Sequence, residues 1–369
     1  MKILLFSNSS WSIFNFRREL IIELQNSGNQ TIILSPKDSY FNKLKMMNKQ
    51  IFSINIENRK INFIKELKTI YEIYKIYHKI KPDIILHFTI KPLFYGGIIS
   101  RLLGIKTICM ITGMGKLFLK RNFINKVFLL LYKFALKNSY KVFVQNQHDY
   151  NYFIQNKIVN ENQIEKIPGS GVNLNYFSLK KYPSDQKKII FLMISRILKE
   201  KGIKEYLEAA EIIKNRHTNV YFNLVGPIEK DSKNEISFSY IEKYINNKTI
   251  SFFGFEDDVR KLIEICNCAV LPSYREGMPR SLLEASSMGR PLVSSKCIGS
   301  NELVIDGYNG FLFDIMSTES LVSALEKFIS LSYDEKKNMG LNARYYVKKN
   351  YDQQIVIKKY LQNISDSIL

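Results

Sequence analysis

The first half of the chain alternates between two hydrophobic periods. Residues 2–7, 31–35, 51–54, 84–88 and 107–111 are nearly continuous apolar runs of strand length, and 141–145 adds another. Between them, 16–26, 61–80 and the stretch around 96–103 repeat apolar residues every three or four positions, the period of a helix with one buried face. Apolar runs separated by such helices predict βαβ units and a parallel sheet. The run at 2–7 breaks at Ser7-Asn8-Ser9-Ser10 without a small-residue cleavage pattern, so it predicts a first strand and not a signal peptide. No stretch reaches the roughly 18 apolar residues of a membrane-spanning helix.

After Ile167-Pro168-Gly169-Ser170-Gly171 the chain turns polar, and then the alternation resumes. Strands are predicted at 189–195, 220–225, 250–253, 269–272, 291–295 and 310–313, and helices at 203–216, 257–265, 280–287, 320–331 and 334–349. The fold class expected is α/β, with two doubly wound domains: 1–175, a linker over 176–187, 188–350, and a helix over 351–369 returning to the first domain. In such sheets ligands bind beyond the carboxyl ends of the strands.

Composition narrows the partners. The 369 residues carry 54 Lys and Arg against 34 Asp and Glu, a formal charge of +20, which implies an anionic partner. From 116 to 141 there are seven Lys or Arg and no Asp or Glu, wrapped around a continuous apolar face. A nucleic-acid surface does not need that face, whereas a helix lying among lipid headgroups needs both parts. An ordinary core helix with basic edges is the competing reading. Cys109, Cys266, Cys268 and Cys297 form neither a disulfide framework nor a zinc site, so reduced thiols are expected.

Two stretches carry the chemistry. In Leu271-Pro272-Ser273-Tyr274-Arg275-Glu276-Gly277-Met278-Pro279-Arg280-Ser281-Leu282-Leu283-Glu284-Ala285 a strand ends, a Gly/Pro turn follows, and a helix starts near Pro279. Backbone N–H groups around 277–281 then suit a phosphate or a sugar, with Glu276 before the helix and Glu284 inside it. In the second stretch, a buried strand delivers Arg196 at its carboxyl end, with Lys201 five residues on. Two cations there suit a departing diphosphate, on which negative charge accumulates.

These motifs resemble family 4 retaining glycosyltransferases of the GT-B fold, two Rossmann-like domains facing a central cleft. The likeness rests on Glu276 and Glu284 spaced E-x7-E, on Arg196, Lys201 and Gly202, and on Gly299-Ser300-Asn301-Glu302 followed by Asp306-Gly307-Tyr308-Asn309-Gly310. Phe253-Gly254-Phe255-Glu256-Asp257-Asp258-Val259 and Gly169-Ser170-Gly171-Val172-Asn173 with Phe177 add to it. Asn15-Phe16-Arg17, Thr89-Ile90-Lys91-Pro92 and Ile111-Thr112-Gly113-Met114-Gly115 with Phe118 resemble the bacterial surface-polysaccharide branch that extends sugars on undecaprenyl diphosphate. The resemblance implies that Arg196 and Lys201 hold the donor diphosphate and that Glu276 contacts the donor sugar. The backbone of Gly277, Met278 and Pro279 would support it, Arg280, Ser281 and Leu282 would belong to the donor site, and Glu284 would bind the ribose. Many family members have paired glycines after the first strand, but this chain has Asn8-Ser9-Ser10-Trp11. Trp11, Asn15, Arg17, His87, Lys91, Thr112 and Gly113 are the acceptor-side candidates, with His87 equally readable as a core histidine.

The function expected is transfer of a hexose or N-acetylhexosamine (GalNAc, Gal or GlcNAc) from a UDP-sugar to an undecaprenyl-diphosphate-linked saccharide, for O-antigen or capsule synthesis. No cofactor is expected beyond the donor, and no metal, because no D-x-D stands in a strand–loop setting. The protein is expected in the cytoplasm, held to the inner membrane face through 116–141, with no nucleic acid bound. A nucleotide-sugar epimerase on the same scaffold and a basic nucleic-acid-binding protein are the alternatives.

Overall fold

A parallel strand that is apolar on both faces needs cover on both faces, and the chain supplies it in two separate places. The computed structural model describes residues 1–56, 63–113, 123–229 and 234–367, without the side chains of 63, 123–126 and 128. The chain divides into a first unit, Met1–Ser170 with Ile355–Leu369, and a second, Gly171–Gln354.

The first unit contains β1 (Lys2–Phe6), α1 (Ser10–Asn26), β2 (Gln30–Ser35), α2 (Phe41–Met47), β3 (Ile51–Ser53), α3 (Phe63–Ile80) and β4 (Ile84–Phe88). A π turn at Pro92–Gly96 runs into α4 (Gly97–Leu102), followed by β5 (Lys106–Met110), α5 (Phe123–Leu136), β6 (Ser139–Val144), α6 (Gln147–Gln155) and β7 (Ile164–Lys166). The second contains β8 (Ile189–Ile194), α7 (Ile203–Arg216), β9 (Val220–Val225), α8 (Phe238–Asn246), β10 (Ser251–Phe252), α9 (Arg260–Ile265) and β11 (Cys268–Leu271). It continues with α10 (Arg280–Ser287), β12 (Leu292–Ser295), β13 (Gly310–Phe313), α11 (Thr318–Ser330) and α12 (Tyr333–Asn350). The last helix, α13 (Gln353–Asp366), carries the chain back into the first unit.

Both sheets are parallel, ordered β3-β2-β1-β4-β5-β6-β7 and β10-β9-β8-β11-β12-β13. Alternation along β1 shows how each face is filled. Ile3 and Leu5 join α1 and α13 through Ile21, Ile357, Tyr360 and Ile364, while Leu4 and Phe6 face Ile73 and Tyr77 of α3. In each sheet the order reverses beside one strand, β1 in the first and β8 in the second. The helices that follow β1 and β4, and those that follow β8 and β11, therefore leave to opposite faces of their sheet, and the strand ends between them are where such sheets hold a ligand.

Several expectations change. Helix α1 starts at Ser10 rather than 16, because the Ser9 hydroxyl accepts the Ser12 N–H at 3.3 Å and the Asp38 carboxylate accepts the Trp11 N–H at 3.1 Å. Helices α2, α6 and α8 escape the periodicity because each buries only one or two side chains. Residues 176–187 are not a linker but part of the second unit. Phe177 and Tyr182 are buried, and the Tyr182 hydroxyl donates to the Asn267 carbonyl at 3.0 Å.

Arg290, fully buried, completes that attachment. Its guanidinium donates to the carbonyls of Ile263, Glu264 and Lys181 at 2.9 Å each, and burial pulls its pKa down. Arg290→Ala strands three carbonyls and opens a cavity, so it should cost about 3 kcal/mol or more, read as a lowered denaturation midpoint.

Candidate functional site

The second unit's chemistry gathers on the two loops at its switch point. After β8 the chain passes Arg196, makes a 3-10 turn at Lys199–Lys201, and enters α7 through Gly202 at φ 71°. A Cβ on Gly202 would lie 2.1 Å from the Pro272 carbonyl oxygen, so only glycine lets this turn sit against the loop after β11. The Tyr274 N–H then donates to the Glu200 carbonyl at 2.9 Å, joining the two loops through their backbones.

This contact brings Lys201 and Glu276 together across 75 residues of sequence, with Nζ 2.6 Å from Oε1. Their side chains keep 17% and 13% of their exposure, so the pair is partly shielded from water. Behind it, the Glu276 N–H donates to the Ile298 carbonyl at 3.0 Å, and a Cβ on Gly299 would lie 2.7 Å from the carbonyl oxygens of Glu276 and Gly277. Arg196 stands further out, 57% exposed, with Nη1 4.0 Å from Glu229 Oε1.

Pro279 is the N-cap of α10, and no side chain caps the helix there. Arg280 turns back along the helix. Its Nε donates to Glu284 Oε1 at 2.8 Å and its Nη1 to the Gly171 carbonyl at 2.7 Å. Burial pushes the Glu284 carboxyl above its ordinary pKa, against the pull of Arg280. Ser281 and Met278 are half-buried, whereas Pro279 is buried and Leu282 belongs to the core. The side chain of Leu282 is thus excluded from ligand contact, because position 282 falls on the core face of α10.

In the first unit, Trp11 is exposed on the first turn of α1, its ring edge-on to Phe16 at 5.1 Å, and its carbonyl accepts the Asn15 side-chain amide at 3.0 Å. Arg17 is buried with its guanidinium 4.5 Å over the Phe88 ring. Lys91 is ion-paired to Glu66, Thr112 is exposed, and Gly113 takes φ 118°. Thr89 holds a left-handed φ of 73°, and its hydroxyl accepts the Asn8 N–H at 3.4 Å, tying the loops after β1 and β4 together. Met114, Gly115 and Phe118 lie outside the described residues.

His87 is corrected. It is fully buried, 2.9 Å from the Tyr77 hydroxyl and 3.7 Å from Cys109 Sγ, and a Cβ on Gly96 would strike its ring. It is a core histidine, because its place in β4 puts it on the sheet face covered by α3. The sequence reading also missed Tyr274 and Glu205, whose hydroxyl–carboxylate bond measures 2.7 Å. Both lie inside or beside quoted motifs, but the bond spans 69 residues and no spacing rule shows it.

Comparison with known proteins bears on the family and the fold. The family model for glycosyl transferases group 1 matches residues 177–346, and the glycosyl transferase 4-like model matches residues 2–146. The N,N'-diacetylbacillosaminyl-diphospho-undecaprenol alpha-1,3-N-acetylgalactosaminyltransferase of Campylobacter jejuni is 27% identical over 98% of both chains. The UDP-Gal:alpha-D-GlcNAc-diphosphoundecaprenol alpha-1,3-galactosyltransferase of Escherichia coli is 27% identical over 79% of both. Among solved structures, Anabaena HepE in complex with UDP-glucose superposes with a TM-score of 0.81 at 19% identity, covering 99% of this chain and all of that one.

Burial lowers the His87 pKa to about 3, from the 6.5 of an ordinary histidine. The folded state therefore keeps it neutral while the unfolded chain takes up the proton, so this residue's contribution to stability falls as pH drops below about 6.5. The His87 ring should show no chemical-shift titration between about pH 5 and 8, measured by NMR. With a fold of two parallel-sheet α/β units, both family models and near-full-length relatives in agreement, the chain belongs to the group 1, family 4-like glycosyltransferases of the GT-B class.

Proposed function

We propose that this glycosyltransferase moves a hexose or N-acetylhexosamine from a UDP-sugar, with retention of configuration, to a saccharide carried on undecaprenyl diphosphate. The observation that carries the reading is the Lys201–Glu276 pair at the switch point of the second sheet, with Arg196 beyond β8 and Glu284 held by Arg280 on the adjoining helix. The substrates named for the Campylobacter and E. coli relatives support the donor and acceptor classes.

In this mechanism the bond from the sugar C1 to the donor phosphate oxygen breaks first, giving an oxocarbenium-like state. Arg196 and Lys201 stabilise the negative charge left on the diphosphate, so positive charge comes from side chains and no divalent cation is needed. The acceptor hydroxyl attacks from the face the diphosphate is leaving, and a phosphate oxygen takes its proton, so no enzyme nucleophile is required. Glu276 accepts hydrogen bonds from sugar hydroxyls, and Glu284 accepts from the ribose.

A lipid-linked acceptor implies a membrane surface, and two helices of the first unit offer one. On α5, Leu130, Leu131 and Phe134 are exposed opposite the buried Tyr132, Ala135 and Leu136. On α3, Ile64, Leu67, Tyr71 and Tyr74 form an exposed stripe beside Lys68, Lys75 and Lys79. Part of the 116–141 segment, residues 116–122, lies outside the described residues, and no described helix is long and apolar enough to cross a membrane.

A panel of radiolabelled UDP-sugars offered with an undecaprenyl-diphosphate monosaccharide tests the reading, and donor consumption without acceptor would favour an epimerase instead. Arg196→Ala should lower kcat on the order of a hundredfold to a thousandfold in a folded protein, whereas chelation by EDTA should leave turnover unchanged. Leu130→Glu with Phe134→Glu should abolish sedimentation with anionic vesicles while transfer to a short-chain acceptor in detergent continues.

A further inference from the structure

We infer that Tyr274 and Glu205 are positioning residues, whose hydrogen bond locks the loop after β11 against the turn before α7 and so fixes Lys201 and Glu276 for the leaving diphosphate. The inference rests on the donor-site reading given above and deepens it.

Tyr274 is held at both ends. Its N–H donates to the Glu200 carbonyl at 2.9 Å, and its hydroxyl donates to Glu205 Oε1 at 2.7 Å. Lys201 lies between the two tethered positions, 200 and 205, and Glu276 stands two residues beyond Tyr274, so both partners of the ion pair sit within two residues of a tethered backbone. Glu205 stands in the first turn of α7, so the hydroxyl bond ties the loop to a rigid helix and not to another loop.

The state of Glu205 argues against a role in stability alone. It is 7% exposed, and its second oxygen, Oε2, is buried with no hydrogen-bond partner. A half-satisfied buried carboxylate is costly, and an apolar residue of similar size would avoid that cost. A carboxylate acceptor does give the phenol a stronger, more directional bond than a neutral one. Burial and the neighbouring Glu205 push the Tyr274 pKa well above its ordinary value, so the hydroxyl keeps its proton and acts as the donor.

The test compares Tyr274→Phe, Glu205→Gln and the double variant Tyr274→Phe/Glu205→Leu in the full chain. Tyr274→Phe should fold and lower kcat at saturating donor on the order of tenfold to a hundredfold, with little change in KM, because the loop drifts from its productive position. Glu205→Gln keeps an acceptor for the hydroxyl and should retain most of the turnover. The double variant removes both polar groups, so it remains informative if Tyr274→Phe alone fails to fold, and it should show the same kcat loss. A crystal structure of either hydroxyl-less variant should show Glu276 displaced from Lys201. Wild-type kcat in a folded Tyr274→Phe or double variant, an unmoved ion pair in the crystal, or Glu205→Gln as slow as Tyr274→Phe would overturn the inference. Calorimetric titration of the wild type with UDP decides the donor reading separately, and the crystal structure still decides the strut if UDP does not bind.

Discussion

The chemistry of the second unit depends on a steric exclusion. The Pro272 carbonyl fills the space that a side chain at position 202 would need, so two loops that start on neighbouring strands close onto each other at a glycine. Gly299 repeats the arrangement on the far side, with its α-carbon against the carbonyls of Glu276 and Gly277. The charged pair is thus set by backbone crowding before electrostatics enters. A lysine and a glutamate on two unconstrained surface loops would gain little from pairing, whereas here the loops are already fixed and the entropy of bringing the groups together has been met by the packing.

What the sequence disclosed follows from what periodicity and spacing encode. Helix α7, strands β9 and β13 and helix α10 lie at the limits the pattern predicts, because each has an apolar face or run long enough to mark its period. The placement of Arg196 and Lys201 after a strand was legible too, since a strand end is a local feature. The partners were not. Lys201 meets Glu276 only because β8 and β11 are neighbours, and strand order is a property of the sheet. Arg280 bonds Glu284 within its own helix, an i,i+4 contact the sequence offers openly, and also the Gly171 carbonyl, which no spacing shows. His87 shows the same gap: its position near a strand end is local, but which face of the sheet it takes depends on where α3 packs.

The first unit meets its own loop problem differently. Where many relatives by resemblance carry glycines after the first strand, this chain begins α1 at once and places Asp38 against it, accepting from the Trp11 N–H and the Ser9 hydroxyl. A carboxylate of the protein thus occupies the positive end of that helix. The strain in the neighbouring loop falls on Thr89, which adopts a left-handed backbone without being glycine and is bonded to Asn8. The polar groups at this end of the first sheet are engaged with one another, in contrast to the α10 start in the second unit, which no side chain caps.

The return of α13 to the first unit has a consequence for biosynthesis. Val356, Ile357, Tyr360 and Ile364 share a core with Ile3, Leu5 and Ile84, yet every residue of the second unit is translated between the two sets. On the ribosome the earliest sheet emerges with one apolar face covered by α1 but not yet by α13, and it stays so while the later unit is made and folds. The part synthesised first is therefore completed last, and the part of that face still uncovered is a natural client for a chaperone during that interval.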